Sequence, residues 1–197
     1  MKITGIKQQV RNGDRYSVYI DGRYSFGLSS AALLEQGLAV GQTLEGSRLA
    51  ELKKAVVADN LYNQALRYVA IRQRSVWEMS AYLERKGSAT EETTKIISRL
   101  QNLKLLDDQA FASAWLANRR QLKHVSRRRL VSELRQKHVA AATIEKAMSE
   151  DVSDDRSTLR ELASKKKQHY PDRIKLTQYL IRQGFGYDDI KSVLDEE

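Results

Sequence analysis

The chain has 197 residues, 41% of them hydrophobic and 30% charged, with a formal net charge of +9. That is apolar enough for a core or for several small modules in a row, and it excludes a disordered chain. The lack of cysteine excludes disulfides, thiolate metal sites and cysteine nucleophiles; no run approaches the roughly 20 apolar residues of a membrane helix, and the N-terminus MKITGIKQQV lacks the apolar stretch of a signal peptide, so a cytoplasmic monomer is expected.

Residues 1–27 read as strands. Asn12-Gly13-Asp14 marks a hairpin turn because such residues accept positive φ. Tyr16, Val18 and Ile20 then alternate with Ser17 and Tyr19, and Asp21-Gly22 marks a second turn into Arg23-Tyr24-Ser25-Phe26. A small antiparallel sheet follows, one that must pack on something to be stable. Ser29 or Ser30 is placed to N-cap a short helix over residues 31–36, with Gly37 at its C′ position. From Ser47 the spacing turns helical through Leu49, Leu52 and Val56, and continues through Leu61, Ala65, Leu66 and Val69. The N-terminal region is assigned to residues 1–59.

The remainder repeats itself. SVWEMSAYLERKG from Ser75, SRRRLVSELRQKH from Ser126 and DRIKLTQYLIRQG from Asp172 align at offsets of 51 and 46 residues. Met79, Leu130 and Leu176 fall in register, as do Leu83, Leu134 and Leu180, and then Gly87, His138 and Gly184. A period of this size in helical spacing means stacked helical modules. Three three-helix repeats are assigned, over residues 60–105, 106–152 and 153–197. The fold expected is mainly α, an elongated curved rod of tandem three-helix repeats behind a small antiparallel sheet.

Within the first repeat, one helix ends near Gln73, and a second opens on a capping box, Ser75 with Glu78. A third carries Ile96, Ile97, Leu100 and Leu103. In the second repeat, Asp107 or Asp108 caps a helix with Phe111, Ala112, Trp115 and Leu116 on one stripe. Ser126 caps the next, and Ile144, Ala147 and Met148 give the last. The third repeat uses Leu159, Leu162 and Ala163, then Ile174, Leu176, Leu180 and Ile181, then Ile190, Val193 and Leu194.

The positive excess lies in residues 60–149, whereas residues 150–197 are net acidic. Arg119, Arg120, Lys123, Arg127, Arg128, Arg129, Arg135 and Lys137 crowd one stretch against a single acid, Glu133. With Leu130 and Leu134 facing the core, at least two of Arg127–Arg129 are expected to face water. Arginine forks suit phosphate and carboxylate, so this is a candidate surface for a polyanion or an acidic protein; the alternative is an ordinary solvated helix face. Arg67, Arg72 and Arg74 with Tyr68 and Trp77 form a second candidate patch, whose rings either stack on bases and anchor contacts or fill helix junctions. Lys165, Lys166 and Lys167 close a helix, where cations also complement the helix dipole. The adjacent carboxylates Asp107-Asp108 read as an N-cap with a first-turn acid, and His124, His138 and His169 lack metal-ligand spacing. No assembled acid, base, nucleophile or metal set appears, so no enzyme and no cofactor are expected.

RQRSVWEMSAYLERKG, LKLLDDQAFASAWLANRR and SRRRLVSELRQKHV together resemble the RecX family, bacterial regulators of the RecA recombinase. The resemblance rests on Arg74-Ser75, Glu78, Leu83, Lys86-Gly87, Leu105-Leu106-Asp107-Asp108, Phe111-Ala112, Trp115, Arg119, Glu133-Leu134 and Lys137, within residues 60–197. VYIDGRYSFGLS and GLAVGQTL resemble the extra N-terminal region of longer members. Lys137-His138 departs from the usual Lys-Gly, and histidine tolerates the positive φ with some strain. The third repeat is the least typical. The resemblance implies a non-enzymatic, mainly negative regulator in DNA repair, homologous recombination and the SOS response. Such a protein binds RecA and its nucleoprotein filament and restrains ATP hydrolysis, strand exchange and co-protease activity. Direct binding to single- or double-stranded DNA is the alternative. The family supplies no agreed contact residues, so the site assignment rests on charge and exposure.

Overall fold

Two turns divide the N-terminal apolar alternation into β1 (Ile3–Gln9), β2 (Asn12–Ile20) and β3 (Arg23–Ser29), an antiparallel sheet in the order β1-β2-β3. The computed structural model describes residues 1–196; Glu197, the last residue of the expected third repeat, lies outside them. Asp21 and Gly22 form the second turn as expected, with φ of 46° and 80°, the pair of positive values that a tight hairpin requires.

The first turn is displaced from Asn12-Gly13 to Val10-Arg11, and Asn12 pairs with Gln9. Register explains the shift together with a β-bulge between Gln8 and Gln9, where pairing steps from Gln9–Asn12 beside the turn to Gln8–Tyr16. Ile3 pairs with Ile20 and Ile6 with Val18, which keeps Ile3, Val18 and Ile20 in one buried cluster. A turn centred on Asn12-Gly13 would pair Ile6 with Tyr19 and rotate the apolar set out of the core. Burial of that face outweighs the local turn preference.

The sheet packs on α1 (Ser30–Glu35) and the start of α2 (Gly46–Ile71), whose Leu52 joins the same cluster with Phe26, Leu28 and Leu44. Ser29 caps α1, accepting from the Ala32 amide, and its own amide and hydroxyl donate to Asp59 on α2 at 2.9 and 2.5 Å. Arg15 on β2 donates to Asn60 at 2.7 Å. Residue 60 lies inside α2, which runs on without a break.

The repeats follow as α3 (Val76–Arg85) and α4 (Thr90–Asn102), then α5 (Asp108–Lys123), α6 (Arg127–Gln136) and α7 (Ala141–Glu150), then α8 (Asp155–Lys167), α9 (Arg173–Arg182) and α10 (Tyr187–Asp195). The sequence register is realised in three dimensions. Met79, Leu130, Leu176, Leu83, Leu134 and Leu180 are all buried. Gly87, His138 and Gly184 all take positive φ, at 80°, 53° and 94°, the left-handed residue that ends a helix. Leu103, Ile174 and Ile181, expected to be apolar packing positions, are instead exposed.

The chain separates into two compact units, residues 1–71 with 82–98, and residues 72–81 with 99–197. The first holds the sheet cluster and the stacked rings of Tyr68 and Tyr82, 4.0 Å apart. The second holds one core around Phe111, Leu116, Leu130, Leu134, Ile144 and Met148, and another around Leu159, Leu162, Leu176, Leu180, Phe185 and Ile190.

Candidate functional site

Helix ends organise the second unit. Ser126 caps α6: its hydroxyl oxygen accepts from the Arg129 amide at 3.2 Å. The same hydroxyl donates to the Gln183 carbonyl at the C-terminus of α9, at 3.2 Å, and so does the Ser126 amide. Asp155, at the start of α8, accepts the Arg127 amide at 3.0 Å. The same set recurs one repeat earlier. Ser75 accepts from the Glu78 amide at 3.1 Å and donates to the Lys137 carbonyl at the end of α6, at 3.1 Å. Asp108, at the start of α5, accepts the Val76 amide at 2.8 Å. Each middle helix thus begins against the carboxyl end of the next middle helix, and its orphan amides are satisfied from two directions.

The arginine cluster meets the later of these joints, and Arg120, Arg127 and Arg129 are occupied there. Arg120 donates to Asp151 at 3.0 Å, to Asp155 at 3.1 Å and to the Val125 carbonyl at 2.8 Å. Arg127 folds back onto the Met148 and Asp151 carbonyls, at 2.6 and 3.1 Å. Arg129 reaches the Arg182 carbonyl at 2.5 Å, Gln183 at 3.0 Å and Glu133 at 3.3 Å. Arg119 pairs with Glu133 at 2.7 Å and lies 4.5 Å over the Trp115 ring, whose indole N–H donates to the same carboxylate. This corrects one expectation: Arg127 and Arg129 are half-buried joint residues rather than water-facing ones, and Glu133 pairs with Arg129 at i,i+4. Of the three consecutive arginines only Arg128 is fully outward. Lys123, Arg128 and Arg135 are exposed and make no ion pair among the described residues.

At the earlier joint Glu78 is 7% exposed and receives both guanidinium nitrogens of Arg72 at 3.0 Å and Lys137 Nζ at 2.7 Å. Burial alone would raise its pKa, but the hydrogen bonds and charges of Arg72 and Lys137 outweigh it and hold the carboxyl below its ordinary value. Its carboxylate therefore serves these cations and not the Ser75 amide, so only half of the expected capping box forms. Asp151 is likewise held low: burial opposes ionisation, and Ser153 and Arg120 overcome it. Asp108 is pushed up, by burial first and by the neighbouring Asp107, against the Val76 amide.

Trp77 is 42% exposed and stacks on His138 at 4.5 Å, so it fills a joint and shows an edge to solvent. Arg74 is half-buried. Arg67 is exposed on α2, in the first unit with Tyr68. Lys165 meets His124 Nε2 at 2.9 Å, Lys166 lies 5.9 Å over the Tyr179 ring, and Lys167 closes the last turn of α8. Asp151 and Asp155, with no binding role foreseen, take up Arg120 and Arg127, and Asp108 holds the Val76 amide. The register equivalence of Asp108 and Asp155 was the one sequence signal that could have exposed the joint.

Three family descriptions match successive parts of the chain: the regulatory protein RecX N-terminal domain at residues 1–45, the RecX first three-helix domain at 62–100 and the RecX second three-helix domain at 107–148. The chain belongs to the RecX family. Among RecX relatives, the regulatory protein RecX of Bacillus subtilis (strain 168) is 27% identical over 98% of this chain and 76% of its own length. That of Halalkalibacterium halodurans is 32% identical over 75% of this chain, which spans 57% of that relative. A crystal structure of a regulatory protein RecX shares the fold, with a TM-score of 0.76, 24% identity and 98% of both chains covered. A crystal structure of RecX from Lactobacillus salivarius gives a TM-score of 0.61 at 23% identity, over 71% of this chain and 96% of that one. Among the described residues of this RecX family member, no helix is long and apolar enough to cross a membrane.

Proposed function

We propose that this chain is a non-enzymatic regulator that binds the RecA recombinase and its nucleoprotein filament, and that it restrains ATP hydrolysis, strand exchange and co-protease activity. The observation that carries the reading is membership of a family whose curated relatives are named regulatory proteins. The repeat construction supports it, because helical modules stapled within the second unit offer a preformed surface to a protein partner. The decisive measurement is RecA's DNA-dependent ATPase rate as the protein is titrated in at two salt concentrations. The expected result is inhibition well below one protein per RecA. An unchanged rate at equimolar protein would refute the reading.

Direct DNA binding is the second reading, favoured by Lys123, Arg128 and Arg135, which make no ion pair among the described residues. Occupation of Arg119, Arg120, Arg127 and Arg129 within the fold reduces the charge available to phosphate. Each phosphate contact gives a log–log salt slope of about −0.9, so three free cations give a slope of about −3. A steeper slope would mean that further cations contact phosphate, either other exposed lysines such as Lys104 and Lys146 or the arginines of the joint.

A further inference from the structure

We propose that α6 is a docking ridge for an acidic, amphipathic helix of a protein partner. The inference rests on the reading of this chain as a protein-binding regulator and names the surface it would use.

The outward edge of α6 carries Arg128, Ser132 and Arg135 at i, i+4 and i+7, all exposed or free of core contacts. The two arginines stand about 10 Å apart along the helix. Neither makes an ion pair among the described residues, in a helix whose other arginines are bound. A groove lies on each side. Between α6 and α7 a cavity of about 450 Å³ has Val131, Ile144 and Met148 on its floor, with Arg135 and Glu145 at its rim. On the other flank a cavity of about 600 Å³ runs from Arg128, Ser132 and Gln136 to Ile181 and Arg182 at the end of α9. Ile181 is 46% exposed, an aliphatic side chain set among cations.

This combination selects its ligand. Carboxylates two turns apart on a partner helix match the spacing of Arg128 and Arg135, while flanking aliphatic side chains enter the grooves. A phosphate backbone gains nothing from Val131, Ile144, Met148 or Ile181, whereas the aliphatic side chains of an amphipathic helix are matched by them. The charge is therefore complementary to an acidic protein segment carrying aliphatic residues.

The test uses the full chain and a fluorescein-labelled synthetic helix of about 14 residues, four turns, bearing Leu and Glu on one face. Comparators are the same peptide with Ser for Leu and a single-stranded oligonucleotide of equal charge. Binding is read by anisotropy. The Leu–Glu peptide is expected to bind at least about tenfold more tightly than the Ser peptide and to lose about tenfold in R128E/R135E. Neither residue has an ion pair to lose among the described residues, and circular dichroism confirms that the variant folds. Equal binding of the two peptides, displacement by the oligonucleotide at equal charge, or unchanged affinity in R128E/R135E would each overturn the proposal. The ATPase titration with R128E/R135E separates the two readings. Lost peptide binding with intact RecA inhibition removes α6 from the RecA surface. Peptide binding by a wild-type protein that leaves RecA unaffected sustains the ridge and refutes the RecA reading.

Discussion

The two joints of the second unit solve one problem with different chemistry. At both, a serine hydroxyl caps its own helix and donates to the last carbonyl of the next middle helix. At the earlier joint the left-handed residue is His138, whose ring stacks on Trp77. At the later joint it is Gly184, where a Cβ would overlap the Ser126 hydroxyl and come within 2.9 Å of the Arg129 Cβ. The residue three places into the helix differs as well. Glu78 sets an anion at a helix N-terminus against a cation, Lys137, at a helix C-terminus, which both dipoles favour. Arg129 sets a cation at a helix N-terminus, against the dipole, and relies on Glu133 and two α9 acceptors. A shared backbone staple leaves side chains free to diverge, and glycine is required only where the helix ends close down.

The largest expected effect breaks the symmetry at that left-handed position. Gly184→Ala adds a clash to an unfavourable φ and should cost about 3 kcal/mol in urea unfolding, whereas His138→Gly should stay within about 1 kcal/mol, relief of strain offsetting the lost ring stack. Equal costs would mean that the joints are not distinguished by their closeness. Next, Glu78→Gln should destabilise by about 1–3 kcal/mol at neutral pH, because Arg72 and Lys137 lose their shared anion. A carboxyl held below its ordinary value contributes stability above the unfolded pKa and loses it as pH falls through the lower folded value. The gap between Glu78→Gln and wild type should therefore narrow as pH falls below the ordinary glutamate pKa of 4.5. Asp108 has the opposite sign: its raised folded pKa means stability present at low pH and lost as pH rises through that value, so Asp108→Asn should gain relative to wild type towards neutrality. Ser75→Ala and Ser126→Ala should each cost about 1 kcal/mol as lost caps, a matched pair that would sharpen the claim of a common staple. The smallest effect is Arg128→Glu, expected to alter stability by no more than about 0.5 kcal/mol.

Much of the fold was legible because it depends on local spacing. The aligned leucines, the serine and aspartate caps and the left-handed residues after α3, α6 and α9 all follow from periodicity and cap chemistry. The partners of the arginines did not. Asp151 and Asp155 reach Arg120 and Arg127 from 24–35 positions away, Asp151 through the closure of its own repeat and Asp155 through the stacking of the next repeat on it. The same reason hid the exposure of Ile174 and Ile181: helical spacing gives a side chain an angle about its axis but does not say which neighbour occupies that direction. The hairpin turn failed differently, since Asn12-Gly13 is a sound local signal overruled by pairing of Ile6 with Val18.

In the third repeat, the register position of Ser75 and Ser126 is held by Asp172, which caps α9 by accepting from the Ile174 and Lys175 amides. A carboxylate performs half of the serine's task. Once ionised it has no proton to offer another carbonyl, and its charge would face the negative end of any incoming helix. The connector made twice in this chain therefore has a blunt end at α9. Open-ended growth, in which one copy's middle helix would seat on another's as in a filament of heterologous contacts, would lack the hydroxyl hydrogen bond that both internal joints share.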